Sequence, residues 1–172
     1  MFAAGLLVLR LVIGGILAAH GAQKLFGWWG GPGMKGWTGA MTRMRMRPPA
    51  AWAWISAIGE FAGGLALALG LLYPLPSIAI AGAMLVAIAL VHFPKGFWNS
   101  KGGFEFNLSI LGAVAALALT GPGVISIDNL LRIRFPEPAT LIVLTIVLLV
   151  SLAGAFVTRT PAPVAEPKPQ AT

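Results

Sequence analysis

The chain of 172 residues has no cysteine, one tyrosine, two histidines and only five acidic residues, and charged residues of either sign make up 10% of it. Without cysteine there is no disulfide, no redox dithiol and no thiolate-held iron–sulfur cluster, so any electron chemistry must borrow its carrier. The shortage of charge excludes an ordinary soluble domain, in which about a quarter of residues are charged. What replaces them is apolar: 58% of residues are hydrophobic and the mean hydropathy is +0.86. The expectation is an all-α, polytopic membrane helix bundle. Its net charge of +7 is scattered between apolar runs, with no basic–aromatic patch, so nucleic acid is not an expected partner and the bilayer is.

At 1.5 Å rise per residue a spanning helix needs about 20 mostly apolar residues. Five stretches qualify, at about 4–26, 51–72, 75–93, 104–121 and 139–157. The first is read as a retained span, because Arg10 interrupts it and "LAAHGAQ" lacks the small residues of a cleavage site. "YPLP" at 73–76 breaks the helical ladder and predicts a tight hairpin between the second and third spans, with Tyr73 at the interface. Glycines and Pro32 argue against a continuous helix between the first two spans, and Trp28, Trp29, Trp37 and Trp52 suit the headgroup region there. Residues 158–172 alternate proline with small and polar residues and are expected to be a disordered tail. Eight Lys and Arg fall on the side of the first loop, third loop and tail against two, Arg132 and Arg134, on the other. The positive-inside rule then puts the N-terminus outside and the C-terminus in the cytoplasm.

Charges inside such spans cost about 2.5–3.5 kcal/mol each at a helix centre, so each needs a partner, water or an escape to the interface. In "RLVIGGILAAHGAQKLFGW", Arg10, His20 and Lys24 fall within an arc of about 80°, with Gly14 and Gly21 on or beside it. The stripe must face protein. Its expected neighbour is the second span, where Glu60 lies in "SAIGEFAGGLALALG" among Gly59, Gly63, Gly64 and Ser56. Arg10 is expected to ion-pair with Glu60 and His20 to hydrogen-bond it, while Lys24 snorkels to the interface. In the fourth span Glu105, Ser109, Gly112 and Ala116 recur at helical spacing. With His92 at the end of the third span, these groups are expected to line one polar pocket together with His20, Lys24 and Glu60. No short-spaced ligand pair is present and no metal is expected. Two plainer roles stand beside this reading: buried charges that only fix helix register, and "RMRMR" at 43–47 as a positive-inside anchor rather than a docking site for anionic lipid or an acidic partner. Trp28, Trp29 and Trp98 are candidates to wall a flat ligand at the pocket mouth.

The first two spans, the segment "GFWNSKGGFEFNLSILGAVAALALTGPG" and the "SID" that follows occur in the order found in the DoxX family of small bacterial membrane proteins, which the chain resembles over about residues 5–130. That resemblance implies a four-helix bundle in the bacterial cytoplasmic (inner) membrane, with motif positions at Arg10, His20, Gly21, Lys24, Glu60, Gly63, Gly64, Glu105 and Asp128. It also implies redox work, since a related subunit belongs to a thiosulfate:quinone oxidoreductase. The run at 139–157 and the proline-rich tail depart from the family pattern. Three functions follow as expectations: a quinone-linked subunit of a membrane redox complex, with a quinone in the pocket; a non-enzymatic scaffold that anchors a peripheral redox protein; and a small transporter. Whether the chain is itself catalytic, and whether it self-associates as a homo-oligomer, stay open at this stage.

Overall fold

The computed structural model describes residues 1–159. These form α1 (Phe2–Phe26), α2 (Gly33–Arg43), α3 (Pro49–Leu69), α4 (Leu75–Ala87), α5 (Glu105–Thr120), the short α6 (Ile127–Leu131) and α7 (Ala139–Val157), with no strand among the described residues. After Ala87 the fourth helix widens into a π turn over Ile88–His92 and tightens over Phe93–Lys95. Four helical stretches, Phe2–Phe26, Pro49–Leu69, Leu75–Lys95 and Ala139–Val157, are long and apolar enough to cross a bilayer. With 16 residues, α5 is shorter, about 24 Å.

The chain writes its own breaks. Gly27 and Gly70 end α1 and α3 in the left-handed conformation that glycine adopts without steric cost, and prolines open α3 and α4, where a missing amide hydrogen costs nothing. The hairpin between α3 and α4 is as tight as "YPLP" predicts. Tyr73 is a correction, however. It is buried at 4% exposure, not placed at the interface, and its hydroxyl accepts from Ser77 at 2.9 Å. The connection at 27–48 is also more regular than its glycines imply, since α2 begins directly after Pro32. This one helix has 11 residues, with Gly33 at its start and Gly36 on its exposed side.

Packing is inside out relative to a soluble protein. Val8, Leu11, Ile55, Ile58, Ile142, Ile146 and Val150 are exposed, whereas Arg10, Glu60, Asn107 and Asp128 are buried; lipid is the solvent that makes this stable. The inner seam joins antiparallel α1 and α3. A methyl group at Gly14 would meet Gly64 and Ala68, one at Gly21 would meet Phe61, and one at Gly64 would meet Ala18, each inside 3.0 Å. These backbones touch. Of the other glycines expected to pack helices, Gly63 has ordinary contact with Ile80, and Gly59 and Gly112 face open space. Leu17, Leu67, Ile80, Val114 and Leu117 form the main core among α1, α3, α4 and α5.

The last helix crosses the bundle on the outside of α4. Leu148 lies over Gly82, and beyond the helix the Arg159 Nε–H donates to the Met44 carbonyl at 3.1 Å. The end of α7 therefore lies beside the end of α2, opposite to the end where α7 begins. The tail expected from residue 158 lies, from residue 160 on, outside the described residues.

Gly14→Leu is expected to destabilise the detergent-solubilised protein by about 1–3 kcal/mol through overpacking, and Gly112→Leu to leave it unchanged. Thermal melts followed by size-exclusion recovery compare the two.

Candidate functional site

The α1–α3 seam fixes which charges can meet. Gly14 faces Gly64 and Ala68, Ala18 faces Gly64, and Gly21 faces Phe61. One turn further, Lys24 faces Glu60, and its ammonium donates to both carboxylate oxygens. This is a correction to the expected Arg10–Glu60 pair. Arg10 lies 14 residues before Lys24, about 21 Å away along the helix, and meets Gly70 instead. Nor does Lys24 snorkel outward: its side chain is 16% exposed and that of Glu60 is 6%. In this setting each charge stabilises the other, and removing one strands its partner in a medium without water.

Aromatic and hydroxyl groups hold the pair in place. The Lys24 ammonium sits 4.2 Å from the centre of the Trp37 ring, a cation–π contact strengthened by desolvation. The Trp37 Nε1–H donates to Ser56 Oγ at 2.9 Å, and the Ser56 hydroxyl donates to the Trp52 carbonyl at 2.8 Å. Ser56 is one turn before Glu60, so α3 presents both on one face. α2 carries Trp37 over that face, which is the purpose its helical form serves.

Beside the pair opens a cavity of about 360 Å³, walled by α2, α3, α4 and α7. Among the described residues, Lys24 and Glu60 are its only ionisable lining residues. Met41, Met44, Met46, Trp37 and Trp52 line one side, with Ile78, Val86, Leu148 and Leu152 on the helices opposite. Aliphatic and thioether walls exclude water and adapt to a ring or a chain. A salt bridge of zero net charge is thus set in the wall of a chamber whose other polar side chains include the hydroxyls of Ser56 and Ser151.

The remaining expected site residues lie elsewhere. His20, about 100° around the helix from Gly21, points away from α3; it is exposed and meets the edge of Phe106, with ring centres 6.2 Å apart. His92 Nδ1–H donates to the Gly102 carbonyl at 2.7 Å and secures the α4–α5 connection. Glu105 accepts from the Asn99 amide at 3.0 Å in that same connection. Ser109 spends its hydroxyl on the Glu105 carbonyl at 3.0 Å and is exposed. None of the four lines the cavity. Trp28, Trp29 and Trp98, expected at its mouth, are exposed and do not line it; Trp37 and Trp52 do. Among the described residues no three His, Asp or Glu side chains gather as a metal site would require.

Arg10 anchors a second polar cluster at the other end of the bundle. It is 1% exposed, and its guanidinium donates to the carbonyls of Pro122 and Ile125. Gly70, at φ 66°, leaves it the room: a Cβ there would collide with the guanidinium. From the same loop Asp128 accepts the Leu72 and Tyr73 amides, each at 2.8 Å, while its own amide donates to the Gly70 carbonyl at 3.0 Å. Burial holds the Tyr73 phenol neutral by pushing its pKa up to about 12. Arg10 and Asp128 thus tie the α5–α6 loop to the α3–α4 hairpin, on interactions with backbone rather than with each other. Sequence reasoning placed Ser56 beside Glu60 on one face of α3; it missed Trp37 as a partner of the pair, for which there was no signal, because its contacts depend on where α2 lies.

Helices of spanning length, apolar outside and charged within, define a polytopic membrane helical bundle. The chain belongs to the DoxX family, whose match covers residues 5–93, just over half of its length and a shorter stretch than residues 5–130. It is similar to the inner membrane protein YqjF of Escherichia coli strain K12, 44% identical over 75 residues, which are 42% of this chain and 56% of that protein. The matched chain thus spans little more than half the length of that relative. No solved structure matches. The protein is a multi-pass inner-membrane protein of the DoxX family, and the matched segment contains Lys24, Trp37, Ser56 and Glu60 but not the α7 wall of the cavity.

Lys24→Met is expected to cost about 3–5 kcal/mol by stranding Glu60, and Lys24→Met combined with Glu60→Leu to recover most of that loss. Melts of the two variants in one detergent measure the difference.

Proposed function

We propose that the cavity receives a neutral lipophile with a flat polar head, of the quinone class, and that the chain is a quinone-linked subunit of a membrane redox complex. One observation carries this reading: a largely apolar cavity of about 360 Å³ is lined by a single, internally neutralised Lys24–Glu60 pair. The volume lies in the range of small-molecule sites. A carboxylate or phosphate ligand would bring charge to a site that is already balanced; a quinone head brings carbonyl acceptors and none. The donor set fits such a head. Lys24 can turn an N–H toward a carbonyl oxygen, Trp37 and Trp52 offer flat faces, and Leu148, Leu152 and Val86 keep water out.

A bound quinone would supply a carrier of two electrons and two protons. What this chain supplies is position and protons: the Lys24 ammonium orients the oxygen, and the Glu60 carboxylate beside it takes up or returns a proton. The electrons need a partner, because the chain has no cysteine and no haem motif or dinucleotide fingerprint. A peripheral redox protein fits that role. Its landing side would be the cytoplasm, where the positive-inside rule places the end bearing Lys35, Arg43, Arg45, Lys95, Lys101 and Arg159.

Decylubiquinone titrated into the purified protein is expected to quench tryptophan fluorescence saturably, through Trp37 and Trp52. The Lys24→Met, Glu60→Leu protein, checked for its fold by the melts above, should bind at least about tenfold more weakly, the worth of one hydrogen bond to a charged group. Quenching that never saturates, or that the double variant leaves unchanged, refutes the reading.

Topology is tested separately. The absence of native cysteine makes Ser100→Cys and Glu137→Cys clean labels. In intact spheroplasts an impermeant maleimide is expected to modify the second and not the first.

A further inference from the structure

We infer that Ser151, on the inner face of α7, is the second polar contact of the chamber's ligand, and that it selects a ring with acceptors on two opposite edges, a para-quinone, over a ring with a single carbonyl. This rests on the quinone reading and deepens it. Leu144, Val147, Leu148, Ser151, Leu152 and Ala155 line the cavity, at the spacing of one face of a helix. Ser151 is the one hydrogen-bonding side chain on that face.

The Ser151 hydroxyl has no partner among the described residues. The threonines of the same helix and its cap behave differently. Thr140, Thr145 and Thr158 each donate to the carbonyl four residues back, at 2.8, 2.7 and 2.9 Å. The other uncharged donors that line the chamber are engaged as well. Ser56 donates to the Trp52 carbonyl and accepts from the Trp37 indole, and the Trp52 Nε1–H donates to the Arg47 carbonyl at 3.2 Å. Lys24 gives two N–H bonds to Glu60 and keeps a third. Two lining side chains thus have a hydrogen to offer, Lys24 and Ser151. A hydroxyl without an acceptor in so apolar a setting costs free energy until a ligand supplies one.

These two donors belong to different walls. Lys24 reaches the chamber from the α1–α3 seam, and Ser151 from α7. α3 and α7 run antiparallel, with Ala53 and Ala155 in one packed cluster. Four residues on from Ala53 and four back from Ala155, Ser151 lies level with Ala57, roughly one turn from Glu60. One carbonyl can serve only one of the donors; two carbonyls on opposite edges of a ring can serve both. A lone carbonyl goes to Lys24, because a charged donor makes the stronger bond. The family match ends at residue 93, so the second contact comes from a helix that the match does not reach.

Full-length protein in dodecyl maltoside is titrated with 2-decyl-1,4-naphthoquinone and with 2-decyl-1-tetralone, which has the same carbon skeleton and one carbonyl fewer, each in competition with decylubiquinone. Ser151→Ala is expected to weaken the dione about three- to tenfold, the worth of one neutral hydrogen bond. Its affinity for the tetralone and its melting temperature should stay those of the wild type. Val147→Ala trims the same face without removing a donor, and should leave the ratio of the two affinities unchanged. A dione affinity that Ser151→Ala does not alter, or a ratio that Val147→Ala lowers as much, overturns the role of Ser151 and leaves the quinone reading standing. Failure of decylubiquinone to bind saturably to the wild-type protein overturns both.

Discussion

The backbone contact between α1 and α3 governs the rest of this protein. Within a bilayer, helices gain little from hiding apolar surface, because lipid is as apolar as leucine; close van der Waals fit must hold them together. Gly14, Ala18 and Gly21 on one helix and Gly64 and Ala68 on the other supply that fit. The contact is so close that it leaves one axial register. That register puts Lys24 beside Glu60 and Arg10 beside Gly70, so the electrostatics follow from the sterics.

The two buried cations then do different jobs. Lys24 meets a carboxylate next to open volume, and an aromatic ring covers its other side. Arg10, buried at 1% exposure, meets backbone carbonyls. A guanidinium, planar and with five donors, suits the gathering of several carbonyls from one loop; an ammonium is a compact charge that can turn toward a new acceptor. One cation holds shape and the other borders a chamber with room for a ligand.

The chamber depends on segments outside the α1–α3 pair. α2 brings Trp37 and the methionines, while α7 closes the far wall with Leu148 and Leu152. The methionines are unbranched and polarizable, so the wall they form is deformable where the glycine seam is not. Arg159 fastens the end of α7 to the backbone of Met44, which couples the outer helix to the end of α2.

All-helical character, five apolar runs, the "YPLP" hairpin and membrane residence were legible from composition and run length, because lipid imposes those requirements on any sequence that enters it. So was the demand that buried charges find partners. The choice of partner was not. On a helical wheel Arg10, His20 and Lys24 share an arc, but a wheel carries no axial register, and only the fit of Gly14 and Gly21 against α3 decides which depth meets Glu60. His20 shows the same limit in angle, since 100° of rotation separates a side chain that faces α3 from one that faces α5. Local pattern determines what each helix must hide, and three-dimensional packing decides from what, because register and rotation are set by contacts between residues far apart in the chain.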